Sequence, residues 1–369
     1  MRVAIDARMI EYTGIGRYIQ NLISGLSRLG NGISVGVVCE GVPGGPVDLP
    51  GNVERFRPSF NIPVYSLKEH MLLPFEMRST GADLFHYPSF NMPIVNSRPS
   101  VVTVHDLIYY LHPEACPGKA AHIYARFMFD VVVKRAGRII TVSEFSKKEI
   151  AGSLGVDPRK ISVIHNGVGG LYRPVEDTER IAQVRKRYGI TGDYIFYAGN
   201  HQPRKNLSRL ISAFSALKNG KDRQLVLTGG VEPRRAALYA SVKGLGLSGR
   251  VLFIGAVPEE DLPALYSGAL LFAFPSLMEG FGLPPLEAFA CGAPVVSSNA
   301  SSIPEVVGDA ALTFDPTDTG AMAVAIDRVL SSADLRQEMR EKGLARAGRF
   351  TWEATARKTL KVYEEVLNA

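Results

Sequence analysis

The chain has 369 residues, 46% of them hydrophobic and 21% charged, a length and balance that suit two soluble domains with a large core. It contains no run of eighteen apolar residues to span a bilayer, and its start, MRVAIDARMI, reads as a first strand and not a signal peptide. A net charge of +6 is too thinly spread for a nucleic-acid protein, and Cys39, Cys116 and Cys291 lie too far apart for metal-ligand spacing or a disulfide framework, pointing to the reducing cytoplasm.

Residues 2–7 form an apolar strand, and residues 15–29 repeat apolar side chains at helical spacing (Ile19, Leu22, Ile23, Leu26, Leu29). Between them lies Thr13-Gly14-Ile15-Gly16-Arg17, whose glycines permit close backbone approach and leave helix N–H groups facing an anion. The third glycine and distant acid of a dinucleotide fingerprint are missing, so alone this is equally a bare turn. Strands at 34–39 and 53–58 are joined by a glycine- and proline-rich loop at 41–51. Residues 64–80 read as a helix, or as two broken at Pro74. The cluster of Met71, Leu72, Leu73 and Phe75 near Lys68 and Arg78 suits a core-facing helix or an amphipathic contact with a membrane or lipid-linked acceptor. Strands at 83–87 and 100–104 follow. The second runs into His105 and Asp106, at a carboxyl end where open α/β sheets place ligand groups, although a buried histidine beside a capping Asp reads the same. A helix at 123–136, a strand at 138–142, a Ser143 helix cap and a strand at 161–164 lead to His165-Asn166-Gly167-Val168. That turn signal divides a domain of residues 1–168 from one of residues 169–350.

The second domain restarts the alternation, with strands at 194–198, 224–227, 251–255 and 270–274 and helices at 207–217 and 259–267. A polar turn from Gly199 carries Arg204 and Lys205, and further turns lie at Gly229-Gly230 and Val257-Pro258. After the strand at 270–274, glycines and prolines break the chain and a helix starts near Pro284 or Pro285. This sets Glu279 in a loop at the strand's carboxyl end and Glu287 in the helix's first turn, whose N–H groups make a site for phosphate. Two carboxylates flanking an anion hole suit a diphosphate with a sugar at each end, which is a nucleotide sugar. The tail from Thr319 is helical and ends in an amphipathic stretch at 351–369. The expected fold is α/β, two doubly wound Rossmann-like domains facing an interdomain cleft.

The string EGFGLPPLEAFACGAPVVSS from Glu279, with PRKNL, VTVHDLI, TGIGRY, IDARM and HNGV, resembles the family-4-type retaining glycosyltransferases of the GT-B fold, over nearly the whole chain. The resemblance implies that Gly14, Gly16, Arg204 and Lys205 hold the donor diphosphate, with Gly199 and Leu283 beside it and the turn at Val257 against the nucleobase. It implies Glu287 on the ribose hydroxyls, Glu279 on the donor sugar, and the Phe281 and Gly282 N–H groups facing that sugar. His105 becomes a donor-sugar contact, Asp106 an acceptor-orienting group, and the last helix, within 351–369, crosses back onto the first domain. The implied reaction is hexose transfer with retention, without cofactor, side-chain nucleophile or metal. Arg204, with its forked donors, and Lys205 stand where a divalent ion stands elsewhere. The chain is similar to bacterial mannosyltransferases that build lipopolysaccharide or exopolysaccharide. This implies GDP-mannose as donor, with a UDP-sugar as the alternative, and a glycan or lipid-linked acceptor at the cytosolic face of the inner membrane. The fold also serves sugar-nucleotide epimerases, phosphorylases and inactive nucleotide-sugar-binding scaffolds. Intact Glu279, Glu287, Arg204 and Lys205 argue against the scaffold.

Overall fold

Strands of three to five residues, apolar on both faces, are what parallel sheets covered by helices on each side require. The computed structural model describes every residue except 31, 40–48, 97, 221 and 230–234, so the loop expected at 41–51 lies largely outside the described residues, as does Gly230. The chain divides into unit 1, Met1–Gly167 with Thr351–Ala369, and unit 2, Val168–Phe350.

Unit 1 holds β1 (Arg2–Asp6), β2 (Ser34–Val38), β3 (Glu54–Phe56), β4 (Leu84–Tyr87), β5 (Ser100–Thr103), β6 (Arg138–Thr141) and β7 (Ile161–Val163). They lie in the order β3-β2-β1-β4-β5-β6-β7, all parallel. Unit 2 holds β8 (Tyr194–Tyr197), β9 (Gln224–Thr228), β10 (Val251–Gly255), β11 (Leu271–Phe274), β12 (Val295–Ser298) and β13 (Ala311–Phe314). Their order is β10-β9-β8-β11-β12-β13, again parallel. In each sheet the strand order reverses beside the first strand, between β1 and β4 and between β8 and β11. Carboxyl ends at such a reversal diverge into a crevice, the general ligand position of doubly wound sheets.

The two-residue period of a strand sends alternate side chains of β1 to opposite faces. Val3 and Ile5 pack with helices Thr13–Leu29 and Trp352–Leu367, through Ile19, Leu22, Leu26, Leu360 and Tyr363. Ala4 packs on the other face, with Leu73 and Met77 of helix Leu67–Ser79 and Met128 and Phe129 of helix Lys119–Arg135. A Cβ on Gly25 would lie 2.9 Å from the Ala356 Cβ, so two small residues let the first and last helices touch. A buried chain of polar groups fastens that last helix to the sheet. Tyr363 Oη lies 2.6 Å from His86 Nδ1, His86 Nε2 2.8 Å from Thr103 Oγ1, and Thr103 Oγ1 2.9 Å from Tyr18 Oη.

Several boundaries differ from expectation. The first helix starts at Thr13, because the Gly16 N–H already bonds the Tyr12 carbonyl at 2.9 Å, so Gly14 and Gly16 lie inside its first turn. Pro74 does not break Leu67–Ser79: it forfeits one backbone bond, while Leu73 and Met77 on either side of it are buried. The strand at 53–58 shrinks to Glu54–Phe56, and the helix at 123–136 starts at Lys119, whose following alanines favour helix without an apolar signal. The helix at 259–267 is a tight 3₁₀ turn, Glu259–Asp261, followed by Leu262–Ser267. Helix Thr178–Arg187, capped by the Asp177 carboxylate, adds to the expected elements; only Ile181, Ala182 and Val184 interrupt its polar residues, too few for an apolar period.

Candidate active site

The crevice of unit 2 is framed by the loops after β8 and β11. The first turns at Lys205 and passes through Asn206 in the left-handed region (φ 62°), a conformation asparagine tolerates better than most residues. Asn206 Nδ2 donates to the Pro275 carbonyl at 3.0 Å and the Pro316 carbonyl at 2.7 Å, and the Leu277 N–H donates to the Arg204 carbonyl at 2.8 Å. The two loops are thereby locked together.

That lock brings three expected site residues into one cluster. Lys205 Nζ donates to Glu279 Oε1 at 2.5 Å, and Arg204 Nη1 to Glu279 Oε2 at 3.1 Å. Burial pushes the Glu279 carboxyl up, but Lys205 and then Arg204 outweigh it, and its pKa lies below the ordinary carboxylate value. Arg204 Nη1 also meets the Met278 carbonyl at 3.1 Å and its Nε meets Gln202 Oε1 at 3.0 Å. Its Nη2 makes none of these hydrogen bonds. The Lys205 side chain is 9% exposed and that of Arg204 26%, so the arginine carries the more open charge.

Ser301 and Ser302 hold the loop that carries Glu279. Ser301 Oγ accepts the Glu279 N–H at 3.0 Å, and Ser302 Oγ meets the Glu279 and Phe281 carbonyls, each at 2.9 Å. The loop then reaches Gly282 (φ 108°, ψ 58°), a left-handed junction suited to glycine, from which helix Leu283–Ala290 departs. This start makes Glu287 the fifth helical residue, not a member of the first turn. Pro284 and Pro285 also remove two of the N–H groups expected to face a phosphate, leaving that of Leu283 at the opening of the helix. Glu287 is buried and accepts from Tyr266 Oη at 3.0 Å. Gly199, after β8, donates its N–H to Thr228 Oγ1 at 3.1 Å, and a Cβ there would meet the Tyr197 hydroxyl at 2.7 Å. Val257 follows β10 and is half-buried.

The remaining expected residues belong to unit 1. A Cβ on Gly16 would fall 2.3 Å from the Ile10 carbonyl oxygen, whereas one on Gly14 would meet nothing within 4 Å. Packing therefore explains Gly16, whereas nothing packs over the Gly14 Cα. His105 Nε2 donates to the Pro88 carbonyl at 2.9 Å, and the Tyr18 ring stands edge-on to it with centroids 4.9 Å apart. Desolvation lowers its pKa against the opposing Pro88 carbonyl and Asp106, so the ring is neutral with Nδ1 as the acceptor nitrogen. Asp106 Oδ1 accepts the Ile108 N–H at 2.9 Å, which makes it the opening of a short helix. Asn206, Ser301, Ser302 and Tyr266 escaped sequence reasoning. Asn206 closing a basic turn before a helix was the signal available; the others act through distant partners.

Comparison with known proteins bears on this geometry. The model described as Glycosyltransferase Family 4 matches residues 12–169, and that of Glycosyl transferases group 1 matches residues 181–346. The O-antigen chain mannosyltransferase B of Escherichia coli is 31% identical over 381 residues, covering 99% of this chain and 100% of that protein. The Escherichia coli serotype-specific mannosyltransferase WbdA is 31% identical over 278 residues, 73% of this chain but 34% of that longer protein. Among solved structures, Anabaena HepE in complex with UDP and glucose shares the fold with a TM-score of 0.79 at 19% identity, over 99% of this chain and 100% of that one. Among the described residues no helix is long and apolar enough to cross a membrane, and no group of three or more His, Cys, Asp or Glu side chains is placed to hold a metal. Matched in both halves and along its full length, the chain belongs to the family 4 glycosyltransferases of the GT-B fold.

Proposed function

We propose that this glycosyltransferase moves mannose from GDP-mannose, with retention of configuration, to a glycan or lipid-linked glycan of a bacterial surface polysaccharide, at the cytosolic face of the membrane. The names of the full-length relative and of WbdA support the sugar and the setting. The observation that carries the chemistry is the grip of Arg204 and Lys205 on Glu279 at the carboxyl ends of β8 and β11. Two cations on one carboxylate leave the cluster with a net positive charge, in surroundings where water screens it poorly.

The difficult event in glycosyl transfer is departure of the nucleoside diphosphate as positive charge develops on the sugar. Arg204 Nη2 and the Lys205 ammonium would meet the departing phosphate oxygens, and a fixed donor of this kind contributes about 3 kcal/mol. Glu279 holds both cations in place and presents its carboxylate edge to the donor-sugar hydroxyls. Glu287, oriented by Tyr266, would accept from the ribose hydroxyls. The neutral His105 would accept at Nδ1 from a sugar hydroxyl, and the leaving phosphate would take the acceptor's proton on the face from which it departs.

Calorimetric titration of the purified protein with GDP, UDP and ADP, without metal, tests this reading. Tight GDP binding followed by transfer from GDP-mannose with an α-configured product by NMR would support it. Preference for UDP would move the donor to a UDP-sugar, an inverted anomer would end the retaining mechanism, and binding of none of the three would favour a scaffold.

A further inference from the structure

His105 follows β5, and its backbone is fixed on both sides. The Val104 N–H donates to the Ile140 carbonyl at 2.8 Å, and the His105 carbonyl accepts from Ser146 Oγ at 3.2 Å. The half-buried imidazole is held more lightly. Among the described residues it makes one hydrogen bond, from Nε2 to the Pro88 carbonyl at 2.9 Å. One bond at one nitrogen leaves the ring able to tilt, because the terminal torsion of histidine has broad wells. What limits the tilt is Tyr18, whose ring crosses the imidazole at 87° with centroids 4.9 Å apart.

Tyr18 lies four residues after Gly14, on the same side of helix Thr13–Leu29. It is buried, with the Trp352 ring against it at a centroid distance of 6.0 Å. A core position of this kind has no need of a hydroxyl, since an apolar ring would pack there without the cost of taking a phenol out of water. Here the hydroxyl is bonded to Thr103 Oγ1 at 2.9 Å, Thr103 to His86, and His86 to Tyr363 of the last helix. Burial raises the pKa of both tyrosines and lowers that of His86, so these groups stay uncharged. A buried polar series in which every member has a partner holds its groups in one arrangement. Thr103 stands two residues before His105, so the ring that limits the imidazole is pinned to the strand that carries it.

We propose that Tyr18 is a positioning residue for His105. Its ring, pinned through Thr103, His86 and Tyr363, keeps the imidazole in the plane from which Nδ1 accepts a hydroxyl of the donor sugar. This rests on the reading of His105 as a sugar contact. Without the Tyr18 ring the imidazole swings about its bond to Pro88 and presents Nδ1 for only part of the time. A misplacement on the order of 1 Å in such a group lowers turnover by as much as about a hundredfold. Through Tyr363, the seating of the last helix also reaches the site histidine.

Imidazole nitrogen NMR of the full protein, isotope-labelled at histidine and without ligand, tests the positioning directly, the His105 signals being assigned by their loss in His105→Gln. The unaltered protein should show a single Nε2–H tautomer at His105, and Tyr18→Leu should show two tautomers in exchange. Tyr18→Met serves in its place if circular dichroism finds Tyr18→Leu unfolded. An unchanged His105 pattern in the folded variant would overturn the proposal. Turnover, read as GDP release from GDP-mannose, supplies a double-mutant cycle. Tyr18→Leu should lower kcat by about tenfold to a hundredfold, yet by less than about twofold when His105→Ala is already present. Tyr18→Phe, which keeps the ring and loses the pin, should fall between Tyr18→Leu and the unaltered protein in both readouts. Equal losses with and without His105 would overturn the proposal, because Tyr18 would then act through the core alone. Full turnover of His105→Ala would instead end the sugar-contact reading, while the NMR comparison still decides whether Tyr18 fixes the ring.

Discussion

At the scale of single residues, the cluster of Arg204, Lys205 and Glu279 makes separable demands on binding and turnover. If the proposed role of Lys205 holds, Lys205→Ala removes a charge that faces the leaving group, and kcat should fall by about 10²–10³ in a transfer assay. Glu279→Gln takes away the anion that both cations share, so nucleoside diphosphate should bind at least as tightly while turnover drops; weaker calorimetric binding would show that Glu279 touches the nucleotide itself. PRKNL and the glutamate pair could be read as motifs. Their convergence could not, since 74 residues separate Lys205 from Glu279 and the contact depends on Asn206 locking two loops. His86 gave no signal at all, yet burial first, and then His105, push its pKa from 6.5 down to about 3. The unfolded chain therefore takes up a proton below pH 6.5 that the folded chain refuses, and stability falls as pH drops through that window. The slope contributed by His86 approaches about 1.4 kcal/mol per pH unit. Between pH 6.5 and 5, above the carboxylate range, His86→Gln should flatten the profile in urea titrations while lowering stability throughout.

At the scale of elements, the two glycines in the first turn of helix Thr13–Leu29 have different reasons to be there. A methyl group at position 16 collides with the Ile10 carbonyl, a backbone atom with little freedom to move, whereas at position 14 it meets open space. Gly16→Ala should lower the melting temperature of unit 1, at a cost of about 1–3 kcal/mol. Gly14→Ala should leave melting unchanged and raise KM for the donor if the diphosphate approaches that backbone; an unchanged KM would remove Gly14 from the site. The sequence Thr-Gly-Ile-Gly could not separate these roles, because the difference lies in what packs over each Cα. Strands and most helices were legible through apolar runs and caps such as Ser143, whose Oγ accepts the Ser146 N–H at 3.0 Å. The polar helix Thr178–Arg187 was not, and helix Leu67–Ser79 was half legible. Its apolar residues were visible, but without neighbours to assign faces, core and surface readings stood side by side.

For the whole molecule, charge stabilisation by Arg204 and Lys205 predicts that chelator leaves turnover unchanged; strict dependence on added Mg²⁺ or Mn²⁺ would require another account of the leaving group. The chain order has a second consequence. Unit 1 is discontinuous, built from Met1–Gly167 and completed by Thr351–Ala369, whereas unit 2 is one uninterrupted segment with its own sheet. The last helix seats Ala356, Leu360 and Tyr363 among Ile19, Leu22 and Leu26, and its Tyr363 hydroxyl satisfies the buried His86. A chain ending at Phe350 would uncover that apolar cluster and orphan a buried imidazole nitrogen, each a destabilising change of more than 1 kcal/mol. Unit 2 would lose none of its strands or site contacts. Limited proteolysis of such a chain should yield a protected fragment near residues 168–350 while the first 167 residues are digested, where the full chain resists in both parts. Amphipathicity at 351–369 shows in the sequence that one side of this helix is buried, but which unit buries it depends on a close approach at Gly25 and Ala356 that no local pattern reports. Equal resistance of the first 167 residues with and without the last helix would mean that unit 1 stands on its own strands, and that the Tyr363–His86 chain adds order there without being needed for the fold.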